Sequence, residues 1–369
     1  MTARTIVVAP DSFKGSATAT EVTEAIIEGW SSVRALDVMV PLPMADGGEG
    51  TLEAFELAVP GSERRPVSVQ GPDGRQVEAF WLALPDGTAV VELANTSGLS
   101  LVAELIPHDA HSAGFGQAIA AALDAGAERL LLAVGGSSST DGGAGALVAL
   151  GAVVADAGGA PVAPGNRGLH DVARVDLTGA RQVPSGGVVV LGDVTNPLLG
   201  PDGAAAVFGP QKGASGADID VLESGLERFA ALLPTDPAAP GAGAAGGVGF
   251  GLLAWGATLS PGSRAVGEAL GLPAAVSGAS IVITGEGRFD SQTDGGKVVS
   301  YVQGLARTTD VPTLLVAGLI EADTQAFALS RSLTQLAGSQ QEAIARPLPL
   351  LRRAAAELAQ ALDEGRSSE

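Results

Sequence analysis

The chain has 369 residues, 46% of them apolar and 4% aromatic, which suffices for two domains with cores of Ala, Val and Leu rather than aromatic rings. A formal charge of −20 argues against nucleic acid or an anionic membrane as partner. With no cysteine there are no disulfides, thiolate nucleophiles or Cys-ligated metals; with only three histidines, any metal falls to carboxylates, a donor set that favours Mg²⁺.

The opening MTARTIVVAPDSF has too short an apolar run for a signal peptide, and no later run is long enough to span a bilayer, so a soluble cytoplasmic protein is expected. RTIVVAP reads as a buried strand. DSFKGSATATEVTEAIIEGW then reads as a loop and a helix, with Val22, Ile26 and Ile27 on its apolar face. DVMVPLP is the next strand and MADGGEGTLEAFELAV another glycine loop and helix, a β-α-β-α opening typical of a parallel sheet. PVSVQ, RQVEAFWLAL and TAVVELA, joined by the turns GPDG and PDG, form an antiparallel meander and mark a domain change around residues 66–76.

HSAGFGQAIAAALDAG is a helix, with His108 and His111 at its polar start. AERLLLAV and GGVVVLG are strands, and AGALVALGAVVADAG is a helix ending at glycine. Residues 232–247, LLPTDPAAPGAGAAGG, are the most loop-like stretch. Near residue 280 the opening pattern returns. ASIVITG and VPTLLVAG are strands, GKVVSYVQGLARTT is a helix, and PLPLLRRAAAELAQALDEG is a terminal helix before a frayed RSSE. The simplest organisation is one α/β domain formed by both chain ends, 1–70 and 281–369, with a mixed-sheet α/β domain inserted at 71–280. Two sequential domains are the alternative.

Five strands run into loops of one kind. They carry Asp11-Ser12-Phe13-Lys14, Asp46-Gly47-Gly48-Glu49, GGSSSTDGGAG (135–145), Asp193-Val194-Thr195-Asn196, and Glu286-Gly287-Arg288-Phe289-Asp290. Asp and Gly are ordinary turn and cap residues, so each loop alone has a structural explanation. As a set they point to ligand binding beyond the carboxyl ends of an open sheet. Lysine is rare here: Lys14, Lys212 and Lys297, each beside glycine, stand against 18 arginines. Lysine presents a compact point charge that fits a tight phosphate loop where the arginine fork does not.

GGSSSTDGG, between a strand and a helix, is the best phosphate cradle, with glycine backbone amides and hydroxyls. No Gly-Lys-Ser/Thr follows it, and GGKVV also departs from the Walker pattern, so the chain is not a P-loop NTPase by motif. GAGAAG (241–246) matches GxGxxG but follows PTDPAAP rather than a strand, so close backbone approach explains it better than a dinucleotide. Carboxylates, glycine loops, hydroxyls and isolated lysines are the parts of phosphoryl transfer. The residues read as a Mg²⁺-dependent phosphotransferase acting on a small acid or alcohol. A nicotinamide-dependent hydroxy-acid oxidoreductase using GAGAAG and a non-catalytic acid-binding protein are the alternatives.

APDSFKGS, ADGGEGT, ELANTSGL, GGSSSTDGGAGALVALGA, GDVTNPLLGPDGAAAVFGPQKGA, GAGAAGGVGFGLLA and VITGEGRFDSQTDGGKV follow one another as in the type-1 glycerate kinase family, a resemblance running to AGSQQEAIARP near the end. Departures are small: Ser138 and Ser139 stand where the family usually has Ala and Thr, and Asp294 adds an acid near Lys297. The resemblance implies a Rossmann-like parallel-sheet domain and an inserted mixed-sheet domain, with ATP and substrate in the cleft between them. It implies ATP- and Mg²⁺-dependent phosphorylation of D-glycerate, commonly at the 2-hydroxyl, in glyoxylate and sugar-acid breakdown; transfer to the 3-hydroxyl is the rival. On that basis Lys14, Asp193, Asn196 and Lys212 are the candidate catalytic residues. Asp11, Ser12, Asp46, Glu49 and Arg288 would hold the substrate. Gly135, Gly136, Ser137, Ser138, Thr140, Asp141, Glu286 and Lys297 would hold the nucleotide, and Asp46, Asp193 and Asp290 the metal.

Overall fold

A computed structural model describes residues 3–290 and 298–364; Lys297, Asp294 and the terminal RSSE lie outside the described residues. Among the described residues thirteen strands follow in chain order. They are β1 (Thr5–Val8), β2 (Val38–Pro41), β3 (Glu63–Gln70), β4 (Gln76–Ala83), β5 (Thr88–Glu92), β6 (Arg129–Ala133), β7 (Val153–Ala155), β8 (Arg174–Asp176), β9 (Val188–Leu191), β10 (Thr258–Ser260), β11 (Ile281–Phe289), β12 (Thr313–Ile320) and β13 (Leu329–Ser332). The chain divides into two compact α/β units: Met1–Asp46 with Glu53–Pro60 and Ser263–Glu369, and Gly47–Leu52 with Gly61–Gly262.

The first unit holds a five-stranded, all-parallel sheet in the order β13-β12-β11-β1-β2. Its central strands are unbroken apolar runs because both faces are covered: Ile6, Val7 and Val8 pair with Ile281, Val282 and Ile283, all buried. One face carries the helix Ala19–Ser31, opened by a Thr18/Glu21 capping box. Its Val22, Ile26 and Trp30 share a core with Leu351, Ala354 and Leu358 of the terminal helix Pro347–Glu364. Gly29 permits this packing, since a Cβ there would lie 2.1 Å from the Arg352 carbonyl oxygen.

The second unit is built on a six-stranded mixed sheet in the order β10-β9-β6-β5-β4-β3. The expected meander is present as antiparallel pairs β3–β4 and β4–β5, whereas β5, β6, β9 and β10 run parallel. The core joins Leu130, Leu132, Val188 and Val190 to Phe115, Phe229 and Phe250, and the last two rings meet edge-on at 6.2 Å.

Two readings of local structure need correction. AGALVALGAVVADAG is not one helix. Helix Ala144–Ala149 stops before Gly151 (φ 106), and the β-branched Val153 and Val154 form β7, paired with β8. GEGRF is strand rather than loop, because β12 extends far enough to pair Arg288 with Leu319 and Phe289 with Ile320. No helix among the described residues is long and apolar enough to cross a membrane.

Candidate active site

In the first unit, three strand ends bring acids together. β1 runs on through Ala9, whose N–H donates to the Ile283 carbonyl, to Asp11, whose N–H donates to the Gly285 carbonyl at 2.8 Å. The next residue of β11, Glu286, is therefore level with Asp11. On the other side Leu42 and Met44 donate to the Val8 and Pro10 carbonyls, carrying the chain toward Asp46. Lys14 returns from the tight Phe13–Ala17 turn to pair with Asp46 at 3.3 Å. These groups line a cavity of about 330 Å³ together with Ser12, Arg288, Asp290, Leu333, Thr334, Gln340 and Ile344.

Crowding of negative charge changes the chemistry of Asp11. Burial, then the charge of Asp46, pushes its carboxyl up to about 7; Glu286 adds to this, while the Ser12 N–H (2.6 Å) and Lys14 oppose it. A carboxyl that titrates near neutrality at the mouth of a cavity can take a proton from a substrate hydroxyl. Arg288 is engaged by two acids, Glu321 at 2.6 Å and Asp290 at 3.6 Å. The donors here are all carboxylate oxygens. Among the described residues no three His, Asp or Glu side chains form a metal cage. Carboxylate oxygens are the donors that suit Mg²⁺, which takes one or two of them together with substrate phosphates.

The remaining sequence candidates among the described residues lie in the second unit. The unit boundary falls after Asp46, so Glu49, exposed on the 47–52 loop, is not in the same unit as Asp46. That loop is fastened at Gly47, whose carbonyl accepts from Gly135 N–H, and at Leu52, whose N–H donates to the buried Glu92 carboxylate. Asp193, after β9, accepts from the Gly262 N–H at 2.8 Å, and the Asn196 amide closes its own loop onto the Asp202 carbonyl at 2.8 Å.

The Gly-Ser loop 135–143 faces largely inward. Ser137, Ser138, Ser139, Thr140 and Asp141 are all buried, while Gly136 is exposed. The Ser138 hydroxyl donates to the Ser97 carbonyl, and the Ser137 hydroxyl to the Ala245 carbonyl. Asp141 accepts from the Ser112 N–H and hydroxyl, both at 2.8 Å, and from Gly143 and Gly145 N–H. Its carboxylate thus ties this loop to the start of helix Ala113–Asp124. His111 is buried just before that helix, and His108 pairs at 2.8 Å with Asp218, the capping-box acid of helix Gly216–Ala230. GAGAAG follows no strand: it packs on the Gly-Ser loop, where a Cβ on Gly246 would fall 2.0 Å from the Ser139 carbonyl oxygen. Lys212 is also buried, and its ammonium donates to that same carbonyl.

Sequence reasoning did not single out the wall formed by Thr334, Gln340 and Ile344, although SQQEAI lies within the last stretch of the family resemblance. Nor did it distinguish Asp11 from its neighbouring acids, because the distinction depends on burial in the fold and on the charge of Asp46 brought beside it.

A family model described as "Glycerate kinase family" matches residues 6–363. A glycerate kinase of Bacillus subtilis is 45% identical over 331 residues, covering 87% of this chain and 86% of that protein. A glycerate 2-kinase of Escherichia coli is 42% identical over 328 residues, covering 86% of each. A crystal structure from Salmonella typhimurium, of a protein named for glycerate kinase 2, superposes with a TM-score of 0.87 at 39% identity, covering 99% of this chain and 100% of that one. Through matches that span nearly its whole length, the chain belongs to the glycerate kinase family.

Proposed function

We propose that the protein phosphorylates D-glycerate at its 2-hydroxyl with ATP and Mg²⁺, giving 2-phosphoglycerate and ADP. The observation that carries this reading is the cavity at the parallel strand ends, where the Asp11 carboxyl, Asp46 and Lys14 come together. In this reading Asp11, rather than Asp193, accepts the hydroxyl proton as the glycerate oxygen attacks the γ-phosphorus. The new O–P bond forms as the bond from that phosphorus to the β,γ-bridging oxygen breaks, and ADP carries away the electron pair. Lys14 neutralises the moving phosphoryl group, and Ser12 and Arg288 orient the substrate.

Asp46 with Glu286 or Asp290 would hold Mg²⁺, which would offset the charge of the transferring phosphates. Gly135, Gly136, Ser137, Ser138, Thr140 and Asp141 are the candidate nucleotide-phosphate loop, with Lys297. Asp193, Asn196 and Glu49 are candidates for orienting groups. A cytoplasmic enzyme with a small-molecule substrate, and neither nucleic acid nor membrane as partner, completes the proposal.

The test is incubation with D-glycerate, ATP and Mg²⁺, with enolase added and mutase left out. Glycerate-dependent ADP together with phosphoenolpyruvate supports the 2-kinase. ADP without phosphoenolpyruvate indicates the 3-kinase. No glycerate-dependent ADP overturns the proposal.

A further inference from the structure

Lys212 is 2% exposed, on the single 3₁₀ turn Pro210–Lys212 that ends at left-handed Gly213. Burying an ammonium is costly, and an apolar side chain would fill the same space without that penalty. Its Nζ donates to the Ser139 carbonyl, in the middle of the Gly-Ser loop. The same point is crowded from a third side. Ala245, Gly246 and Gly247 interrupt helix Ala244–Trp255 with three successive left-handed conformations, φ 55, 69 and 88.

For Ala245, an L-residue with a Cβ, this geometry is strained, and strain of this kind persists only where its surroundings enforce it. Those surroundings are the Gly-Ser loop: the Ser137 hydroxyl donates to the Ala245 carbonyl at 3.1 Å and Gly142 N–H to the Gly246 carbonyl at 3.1 Å. A Cβ on Gly246 would lie 2.0 Å from Ser139 O and 2.7 Å from Lys212 Nζ, so the three segments meet with no room left over. Burial pulls the Lys212 ammonium down to about 7, and the nearby Asp141 carboxylate partly opposes it.

We infer that Lys212 is a positioning residue. Through the Ser139 carbonyl it holds loop 135–143 and the strained run 245–247 in one shape, and it touches neither glycerate nor nucleotide. The effect on catalysis rests on the kinase reading above; the effect on the loop does not.

Hydrogen exchange of the ligand-free protein, compared between wild type and Lys212→Met, tests the loop directly. Methionine keeps most of the stem's volume and removes the donor. Exchange is expected to rise roughly tenfold or more, as for loss of a charged hydrogen bond, in peptides covering 135–143 and 243–250 and not elsewhere in the unit. The KM for ATP should rise and the KM for glycerate stay within about twofold, as expected when a nucleotide loop is displaced. Since the chain has no cysteine, Lys212→Cys treated with 2-bromoethylamine rebuilds an ammonium at this site alone and should restore both readouts.

Unchanged exchange with a raised KM for either substrate would mean direct contact and overturn the inference, as would exchange raised uniformly over the unit. If wild type shows no glycerate-dependent turnover, the kinase reading fails while the exchange comparison still decides the role of Lys212. If Lys212→Met does not fold, Ser137→Ala, which removes the hydroxyl joining Ala245 to the Ser139 amide, must show the same regional rise; its absence would equally sink the inference.

Discussion

Replacing Asp11 by Asn should make the protein more stable and far less active, and the stability gain should depend on pH. The Asp11 carboxyl is raised from 3.8 to about 7 by burial and by Asp46 and Glu286. A shift of about three units corresponds to roughly 4 kcal/mol against the ionised form. Asp11 is only half-buried and solvent enters through the cavity, so about 2 kcal/mol is the expected effect and 4 the ceiling. The folded state holds the proton more tightly than the unfolded chain. The penalty is therefore absent below about 4, grows through the window from about 4 to 7, and is complete above 7.

Asn keeps an oxygen for the Ser12 N–H and carries no charge. Urea denaturation of wild type and Asp11→Asn at pH 4.5 and pH 8 should give nearly equal stabilities at the lower pH and a more stable variant at the higher. Turnover should drop by roughly 10²–10⁴, the usual worth of a general base. A stability difference that is the same at both pH values would refute the argument that Asp11 carries this strain.

Other consequences follow from the same geometry. Lys14 has a side chain 78% exposed, so Lys14→Met should change stability by less than about 0.5 kcal/mol yet lower kcat/KM by a hundredfold or more, read from denaturation and initial rates on one preparation. Asp141→Ala strands the Ser112 and Gly143–Gly145 donors and should cost about 3 kcal/mol or more in thermal denaturation, with or without substrate. If Mg²⁺ serves the phosphates as proposed, chelation by EDTA should abolish turnover, and added Mg²⁺ should restore it without changing the circular dichroism spectrum, because Mg²⁺ bound through one or two carboxylates and substrate phosphates does not hold the fold together.

Most strands were legible because parallel sheets covered on both faces leave unbroken apolar runs such as IVVA, SIVIT and TLLVA. The misreadings arose where local pattern and pairing partner disagree. GEGRF looks like a turn by composition, and β12 holds it as strand; GAVVA continues an apolar run, and Gly151 with β8 turns it into a separate strand. The site was legible as a set of loops and not as a set of roles, for a related reason. Asp11 and Asp141 occur in comparable text, an acid after an apolar strand among small residues, yet they are used in opposite ways.

Asp141 has four donors from Ser112, Gly143 and Gly145 aimed at it and, buried, fastens the chain. Asp11 accepts from the Ser12 N–H and has two acids for neighbours, so its charge is left costly and its proton easy to accept. The groups turned toward each carboxylate separate the two uses: N–H and hydroxyl donors, some from 29 positions away, in one case, and in the other burial and the charge of Asp46, brought there from beyond the next strand. Motif reading can therefore nominate both acids, whereas only the hydrogen-bond partners and neighbouring charges tell the titrating one from the structural one.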